Sequence, residues 1–492
     1  MSFPQLPLSS PPVTPVIRED IDFPTLPGAV VRRPAETPSQ SSEVQTVTET
    51  LSPPSHQLIV VSCYTRFDNL AHGPRGKEAK RSLYTYRLDQ HDGEMVLLSV
   101  TKDENVMNPA FSRAHPRRNV LYTCTESVAE PGDIVSWAVC PRSGQLTMLG
   151  SKSAGGTSTC YLTLDKECKN MLVVNYWNAT IGVFGVDNAT GMVGPCRSIY
   201  DPNEGRPMKA RADKHVNHSN NDASAQKERQ ADPHSHAVIL DPFFGRVAYV
   251  PDLGMDVIRQ FKYDPEAGTL TAAGMLRSGP AQTGARGLGP RYIEFHPTLP
   301  VCYVVNELSS EVSVFQFDRR LAEKLANSDS DSVSSEPTLR LVQTVRTIPD
   351  AFPGDMNTCG RISVHSAGNF VLVSNRGHDS ITVFRIHHEL AHAGMLSLAH
   401  LQHTRGATPR HFQMDASGQW LITANQDSNN IGVFRFNLAT GSLDWTGNEY
   451  NVPSPNFVCS VTPRPETRVR TLRTATLSTP PGHTGITMAS KL

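Results

Sequence analysis

Residues 290–308 read PRYIEFHPTLPVCYVVNEL: two runs of strand-forming residues around the turn HPTLP, with Arg291 opening the first run and Glu307 closing the second, 16 positions later. Val, Ile, Tyr and Phe between Pro, Asn and His punctuation are strand and turn chemistry. Five other segments repeat the plan. They are 108–126 (NPAFSRAHPRRNVLYTCTE), 158–177 (STCYLTLDKECKNMLVVNYW), 235–253 (SHAVILDPFFGRVAYVPDL), 359–377 (CGRISVHSAGNFVLVSNRG) and 409–427 (PRHFQMDASGQWLITANQD). The paired positions are Ala110 and Glu126, Cys160 and Tyr176, His236 and Asp252, Gly360 and Arg376, and Arg410 and Gln426. A tight turn makes the two strands antiparallel, so the start of the first and the end of the second lie on one rim. Residues that vary there converge on one site.

Most units continue alike. Phe184, Phe315, Phe384 and Phe434 end a third strand eight residues past Tyr176, Glu307, Arg376 and Gln426; Phe261 lies nine past Asp252. Turns such as NATG (188–191) and LATG (438–441) lead to a fourth strand. Four strands repeated at about 50 residues predict β-propeller blades. A seventh blade is split. HQLIVVSCY (56–64), SLYTYRL (82–88) and MVLLSV (95–100) lack an inner strand, and NFVCSV (456–461) supplies it. The expected fold is all-β: a seven-bladed propeller over 56–463, closed by a blade shared between the two ends of the chain. Closure removes the exposed edges that a sheet otherwise presents.

Outside the ring, residues 1–55 are rich in Pro, Ser and Thr and are expected to be disordered, and 464–492 to form a flexible tail. Polar insertions occupy 203–232 and 319–337; the second opens as a short helix, RRLAEKLAN, and continues as the exposed loop SDSDSVSSE. A net charge of −1 points to neither nucleic acid nor an anionic membrane. No run of 18 apolar residues is present, so no membrane span is expected, and the N-terminus lacks signal-peptide character. Nine cysteines without Cys-x-x-Cys suit free thiols in a reducing compartment. Ser490, Lys491 and Leu492 form the peroxisomal address S-K-L, which an import receptor reads; a cytoplasmic pool is compatible with it.

The strand cores stay apolar while the rim changes. His236, Arg291 and Arg410 at strand starts, with Tyr176, Asp252, Glu307, Arg376 and Gln426 at strand ends, describe a site for a small anionic substrate. Guanidinium forks match phosphate or carboxylate. His236 changes charge near neutral pH, and Glu307 or Asp252 can serve as base or orient water. The competing structural role is a set of inter-blade salt bridges. Asn175, Asn306, Asn375 and Asn425, one place before the rim, suit bracing of strand ends. A metal at His234, His236 and Asp252 has weak spacing support, Cys160 lacks a neighbouring base, and neither G-x-S-x-G nor a P-loop occurs.

HSHAVILDPFFGRVAYVPDLG (234–254), GPRYIEFHPTLPVCYVVNELSSEVSVF (289–315), VLVSNRGHDSITVF (371–384) and TPRHFQMDASGQWLITANQDSNNIGVF (408–434) resemble the lactonase family of seven-bladed propellers. That family includes 6-phosphogluconolactonases of bacterial type and fungal carboxy-cis,cis-muconate cyclases. The resemblance implies a site on one propeller face without metal or other cofactor. It carries over His236 of HSH, Arg291 of GPR, Glu307 of NEL and Arg376 of NRG, with Asp252, Arg410 and Gln426 as lining residues. The long N-terminal tail and both insertions depart from the pattern; 203–232 immediately precedes HSH, where it bears on the site or on substrate choice.

The expected reaction is hydrolysis of 6-phosphoglucono-1,5-lactone to 6-phosphogluconate, a step of the pentose phosphate pathway. His236 or Glu307 would activate water, Arg291 would hold the oxyanion, and Arg376 with Arg410 the phosphate. Two alternatives stand beside it. A cycloisomerase forming a muconolactone would use the same arginines for carboxylates, although the NEL, NRG and NQDSNNIGVF motifs look closer to the hydrolase branch. A non-catalytic propeller scaffold would be expected to repeat Gly-His and Trp-Asp pairs, which this chain does not.

Overall fold

A computed structural model describes residues 44–51, 56–102, 105–204, 229–230, 232–280, 287–329 and 333–473. Among them are seven sheets of four antiparallel strands, each sheet one blade. Blades 1 to 6 open with Pro109–Ala114, Thr159–Leu164, Ile239–Leu240, Pro290–Phe295, Thr358–Val364 and Pro409–Met414, and the later strands of each follow in chain order. Blade 7 pairs Pro455–Val461 with Gln57–Cys63, followed by Leu83–Leu88 and Met95–Val100, so the ring closes as the sequence predicts.

Second strands are sandwiched between neighbouring blades. Asn170–Asn175, Val247–Asp252, Val301–Asn306 and Trp420–Asn425 are buried at every residue, which is why they read as unbroken apolar runs. The outermost strands, such as Leu443–Asn451, are largely exposed. Inner-strand aromatics meet near the axis. Tyr161 of blade 2 lies 4.5 Å from Phe111 of blade 1 and 5.6 Å from Tyr292 of blade 4, and Phe111 lies 4.4 Å from Phe457 of blade 7. Rings from non-adjacent blades can touch only where the channel is narrow, so they form a floor beneath the rim.

The turn between first and second strands uses an interchangeable acceptor. Asp241 accepts from the backbone N–H groups of Phe244 and Val247, while Nδ1 of His296 accepts from Leu299 N–H. The His296 imidazole also reaches the Gly368 carbonyl of the next blade at 2.8 Å, and His365 reaches Gly418 at 2.9 Å. These histidines lock blade to blade. Helix α1, Arg319–Ala326, forms at the predicted place in the second insertion, with Asp318 capping the N–H groups of Arg320 and Leu321. None of the nine cysteines forms a disulfide.

A small second unit contains a two-stranded sheet of Val44–Leu51 and Glu466–Arg473. These two strands fall within the stretches expected to be a disordered tail, 1–55, and a flexible tail, 464–492. VQTVTETL and ETRVRTLR carry β-branched residues at the spacing that supports strands. Most of the 203–232 insertion and the expected targeting residues Ser490, Lys491 and Leu492 lie outside the described residues.

Candidate active site

The rim positions of the first strands share one backbone device. In blade 4 the ladder runs from Pro290↔Asn306 to Tyr292↔Val305, leaving Arg291 as an extra residue. The same bulge isolates Ala110, Cys160, Arg410 and Asn456, and in blade 5 Gly360 and Arg361 oppose Ser374. In blade 3 the bridge Ser235↔Asp252 precedes Ile239↔Tyr249, which again gives the His236 side one residue too many. A bulge re-aims the side chain that it frees. The partner position is pinned as well: the N–H groups of Glu307, Tyr176, Gln426 and Glu126 donate to the carbonyls of Gly289, Ser158, Thr408 and Asn108. Those four acceptors have positive φ, and at Gly289 a Cβ would also meet Leu308 Cγ at 2.5 Å, so this corner of blade 4 requires glycine.

Glu307 is the centre of one cluster. Its side chain is 1% exposed, and three guanidiniums surround it. Arg291 reaches Oε2 at 2.6 Å; Arg229 and Arg376 reach Oε1 at 2.6 and 3.0 Å. Arg229, from the end of the first insertion, also donates to the Tyr176 hydroxyl at 3.0 Å. Arg376 donates to the Cys359 carbonyl at 2.7 Å. Burial alone would raise the Glu307 carboxyl, but Arg229, Arg376 and Arg291 outweigh it and hold the group well below the usual carboxylate range. Burial pushes Arg376 down to about 10 even against the pull of Glu307, so it remains a cation at neutral pH.

His236 faces this cluster from blade 3. Its Nε2 contacts Nη1 of Arg291. A guanidinium only donates, so Nε2 is the acceptor and the imidazole proton sits on Nδ1. That Nδ1 is buried and makes no hydrogen bond, as do Nε of Arg291 and Nε of Arg376. Burial, then the Arg291 charge, hold the imidazole well below its ordinary pKa. His236 is therefore a neutral donor toward the site, and both Glu307 oxygens are occupied. Arg291 takes the Nε2 lone pair of His236, and three guanidiniums hold Glu307 well below the usual carboxylate range, so both are poor bases toward water, which alters the expected water-activating role of each.

A second cluster faces the first across the axis, built by blades 1, 6 and 7. Glu126 Oε2 accepts from the Tyr64 hydroxyl at 2.9 Å and lies 4.0 Å from the Arg410 guanidinium, which sits over the Tyr64 ring. Glu126 Oε1 lies 3.9 Å from Nδ1 of His72. His72 comes from the loop between Cys63 and Leu83. Hydrogen bonds staple that loop to blade 1, from Thr65 N–H to Oδ1 of Asn108 and from Val128 N–H to the Asn69 carbonyl, and to blade 6, from Arg75 N–H to Oδ1 of Asp427. At Gly76 a Cβ would lie 2.5 Å from the Gln426 carbonyl, so only glycine lets the loop descend this far.

The structure thus gathers His236, Arg291, Glu307, Arg376 and Tyr176 on one side and Arg410 on the other. Gln426 is 1% exposed and donates to Asp427, while its own Oε1 has no partner. Asp252 is a correction. Its carboxylate accepts from the His234 and Met255 N–H groups and from both Nε and Nη2 of Arg259, at 2.8 to 3.2 Å, so it braces blade 3 rather than lining the site. His234 stacks on the Tyr176 ring at 4.7 Å. With Asp252 committed, the three residues do not converge, and no group of metal-ligating side chains occurs among the described residues. Burial pushes the Cys160 thiol up, and it donates to the His236 carbonyl. The four asparagines do brace strand ends: Asn306 bonds Ser313, Asn375 bonds Thr347 O, Asn425 bonds Thr404 O and Asn175 bonds Ala154 O.

Four guanidiniums, Arg229, Arg291, Arg376 and Arg410, face two carboxylates, Glu307 and Glu126, so the rim holds two positive charges in excess. Removing such charges from water costs several kcal/mol each, against roughly 1.5–3 kcal/mol returned by burying a large apolar side chain. A surplus of that kind is the mark of a site completed by an anion rather than of a structural ring.

A seven-bladed propeller with a cationic rim presents a site suited to a small anionic molecule. The chain belongs to the family described as "Lactonase, 7-bladed beta-propeller", whose model matches residues 59–460. It is 28% identical over 384 residues to a 6-phosphogluconolactonase of Bacillus subtilis, covering 78% of this chain and 95% of that one. It is 27% identical over 373 residues to a 6-phosphogluconolactonase of Formosa agariphila, covering 75% and 92%. Among solved structures, the periplasmic gluconolactonase of Pseudomonas aeruginosa superposes with a TM-score of 0.65 at 23% identity, over 83% of this chain and 99% of that one, a likeness of fold. These similarities favour the hydrolase over the cycloisomerase.

Proposed function

We propose that this chain hydrolyses a phosphorylated sugar lactone, 6-phosphoglucono-1,5-lactone, to the open-chain acid. The observation that carries this is the excess of two positive charges on a rim where Arg291 Nε, Arg376 Nε and His236 Nδ1 stand buried and unpartnered. These are donors waiting for oxygen acceptors. The names of the bacterial relatives support the same substrate.

In this reading Arg376 and Arg410, from adjacent blades, hold the phosphate dianion. Arg291 receives the carbonyl oxygen as it becomes an oxyanion. Fixed donors at such a position contribute roughly 10²–10³ in rate. Glu307 keeps Arg229, Arg291 and Arg376 charged and aligned, so that no donor has to reorganise as charge develops.

Turnover of freshly prepared lactone, with the spontaneous rate subtracted, tests the proposal. Hydrolysis by the wild type that Arg291→Ala abolishes supports it. A folded wild type that leaves the lactone at the spontaneous rate contradicts it.

A further inference from the structure

The Glu307 cluster supplies donors and only a weak base, and hydrolysis of a lactone needs a proton removed from water. We infer that His72 is the general base, with Glu126 its positioning residue. This rests on the lactone-hydrolase reading above. His72 belongs to none of the six hairpin repeats; a stapled loop carries it to the rim, where it is 8% exposed. Its Nδ1 points at a Glu126 oxygen 3.9 Å away, a separation that a bound substrate can close. A proton on Nδ1 leaves the lone pair on Nε2. That Nε2 is buried and makes no hydrogen bond, unlike the Nε2 of His236, which Arg291 engages.

Every group facing His72 fits this role. The Tyr64 ring packs against the imidazole at 5.1 Å and its hydroxyl holds the other Glu126 oxygen, fixing the carboxylate. Burial, then Arg410, Arg376, Arg291 and Arg229, keep the imidazole neutral at neutral pH, which is the form a base requires. Three of those arginines, Arg291, Arg376 and Arg410, are the ones assigned to the substrate, so His72 stands within the field of the same cluster.

The step balances. Water oxygen adds to the lactone carbonyl carbon while one water proton passes to His72 Nε2, and the carbonyl electron pair becomes the oxyanion beside Arg291. The oxyanion collapses, the bond from carbonyl carbon to ring oxygen breaks, and the ring oxygen takes the proton back from His72. The product is the hydroxy acid, which ionises to solvent.

The test compares wild type, His72→Gln and Glu126→Gln on 6-phosphogluconolactone across pH, at values where circular dichroism shows each protein folded. The expected result is a kcat about 10²-fold lower in His72→Gln with KM nearly unchanged. The wild-type acid limb, lying below the ordinary histidine pKa, disappears in that variant. Glu126→Gln removes a negative charge beside the imidazole, so its acid limb moves to lower pH; this readout decides the matter if His72→Gln does not fold. Wild-type kcat and an unmoved limb in both variants overturn the assignment of His72 while leaving the hydrolase reading intact. Absence of wild-type turnover overturns both.

Discussion

One nitrogen of Arg291 serves two partners: Nη1 lies 2.6 Å from Oε2 of Glu307 and also contacts Nε2 of His236. This shared donor fixes the tautomer of His236, ties up one oxygen of the Glu307 carboxylate, and leaves Arg291 Nε buried without a hydrogen-bond partner. It turns three residues that are separate in sequence into one rigid donor assembly.

Stability should fall steeply in mild acid. Burial holds His72, His236 and His411 well below their ordinary value of about 6.5 in the folded chain. The unfolded chain therefore binds more protons below that value, and stability present above it is lost as pH falls. Each histidine contributes about 1.4 kcal/mol per pH unit in that window. Melting temperature should be flat from pH 8 to 7 and drop clearly between 6.5 and 5.5. A flat profile through pH 5.5 would contradict the buried neutral imidazoles.

Arg376→Ala should act mainly on substrate binding. A guanidinium on phosphate is felt in ground and transition states alike, so KM should rise about tenfold or more with kcat within a few-fold of wild type. A collapse of kcat at unchanged KM would move Arg376 from the phosphate to the reacting carbonyl.

Glu307→Gln removes the only carboxylate among three guanidiniums. Breaking a buried ion pair from one side costs roughly 3–5 kcal/mol. The variant should melt well below wild type and recover part of the loss when inorganic phosphate is added, because an anion can replace the missing charge. A melting temperature equal to that of wild type would show that the three arginines do not depend on Glu307.

Asp252→Asn should separate bracing from binding. Its carboxylate satisfies Arg259 and two backbone N–H groups, so denaturant stability should drop by roughly 3 kcal/mol or more. The folded fraction should keep its kcat/KM, measured against active-site concentration. Loss of kcat/KM without loss of stability would return Asp252 to the substrate.

Arg291 and Glu307 were legible because a hairpin of constant length keeps its two ends in register, and that spacing repeats in the sequence. What the spacing hides is orientation. Asp252 holds the same position as Glu307, yet Arg259 on the adjoining strand claims it. The bulges are visible only as a residue that changes from blade to blade. Tyr64 and Asn456 occupy the seventh pair of rim positions but lie at opposite ends of the chain, so the split blade concealed them; the terminal Tyr of HQLIVVSCY was the available signal. Glu126 stood at a repeat position without an assigned role, because its partners Tyr64 and His72 come from outside that repeat. Arg229 and His72 belong to segments without periodicity, and only the folded chain brings them to the rim.

The most direct test of the cationic rim as a lactone site is steady-state hydrolysis of 6-phosphogluconolactone by the wild type beside Arg291→Ala, with circular dichroism confirming that both are folded. Turnover far above the spontaneous rate in the wild type, reduced about 10²-fold or more by removal of Arg291, is the predicted result. Wild-type turnover that survives loss of Arg291 unchanged would contradict it, because the donor assembly around Glu307 would then have no part in the reaction.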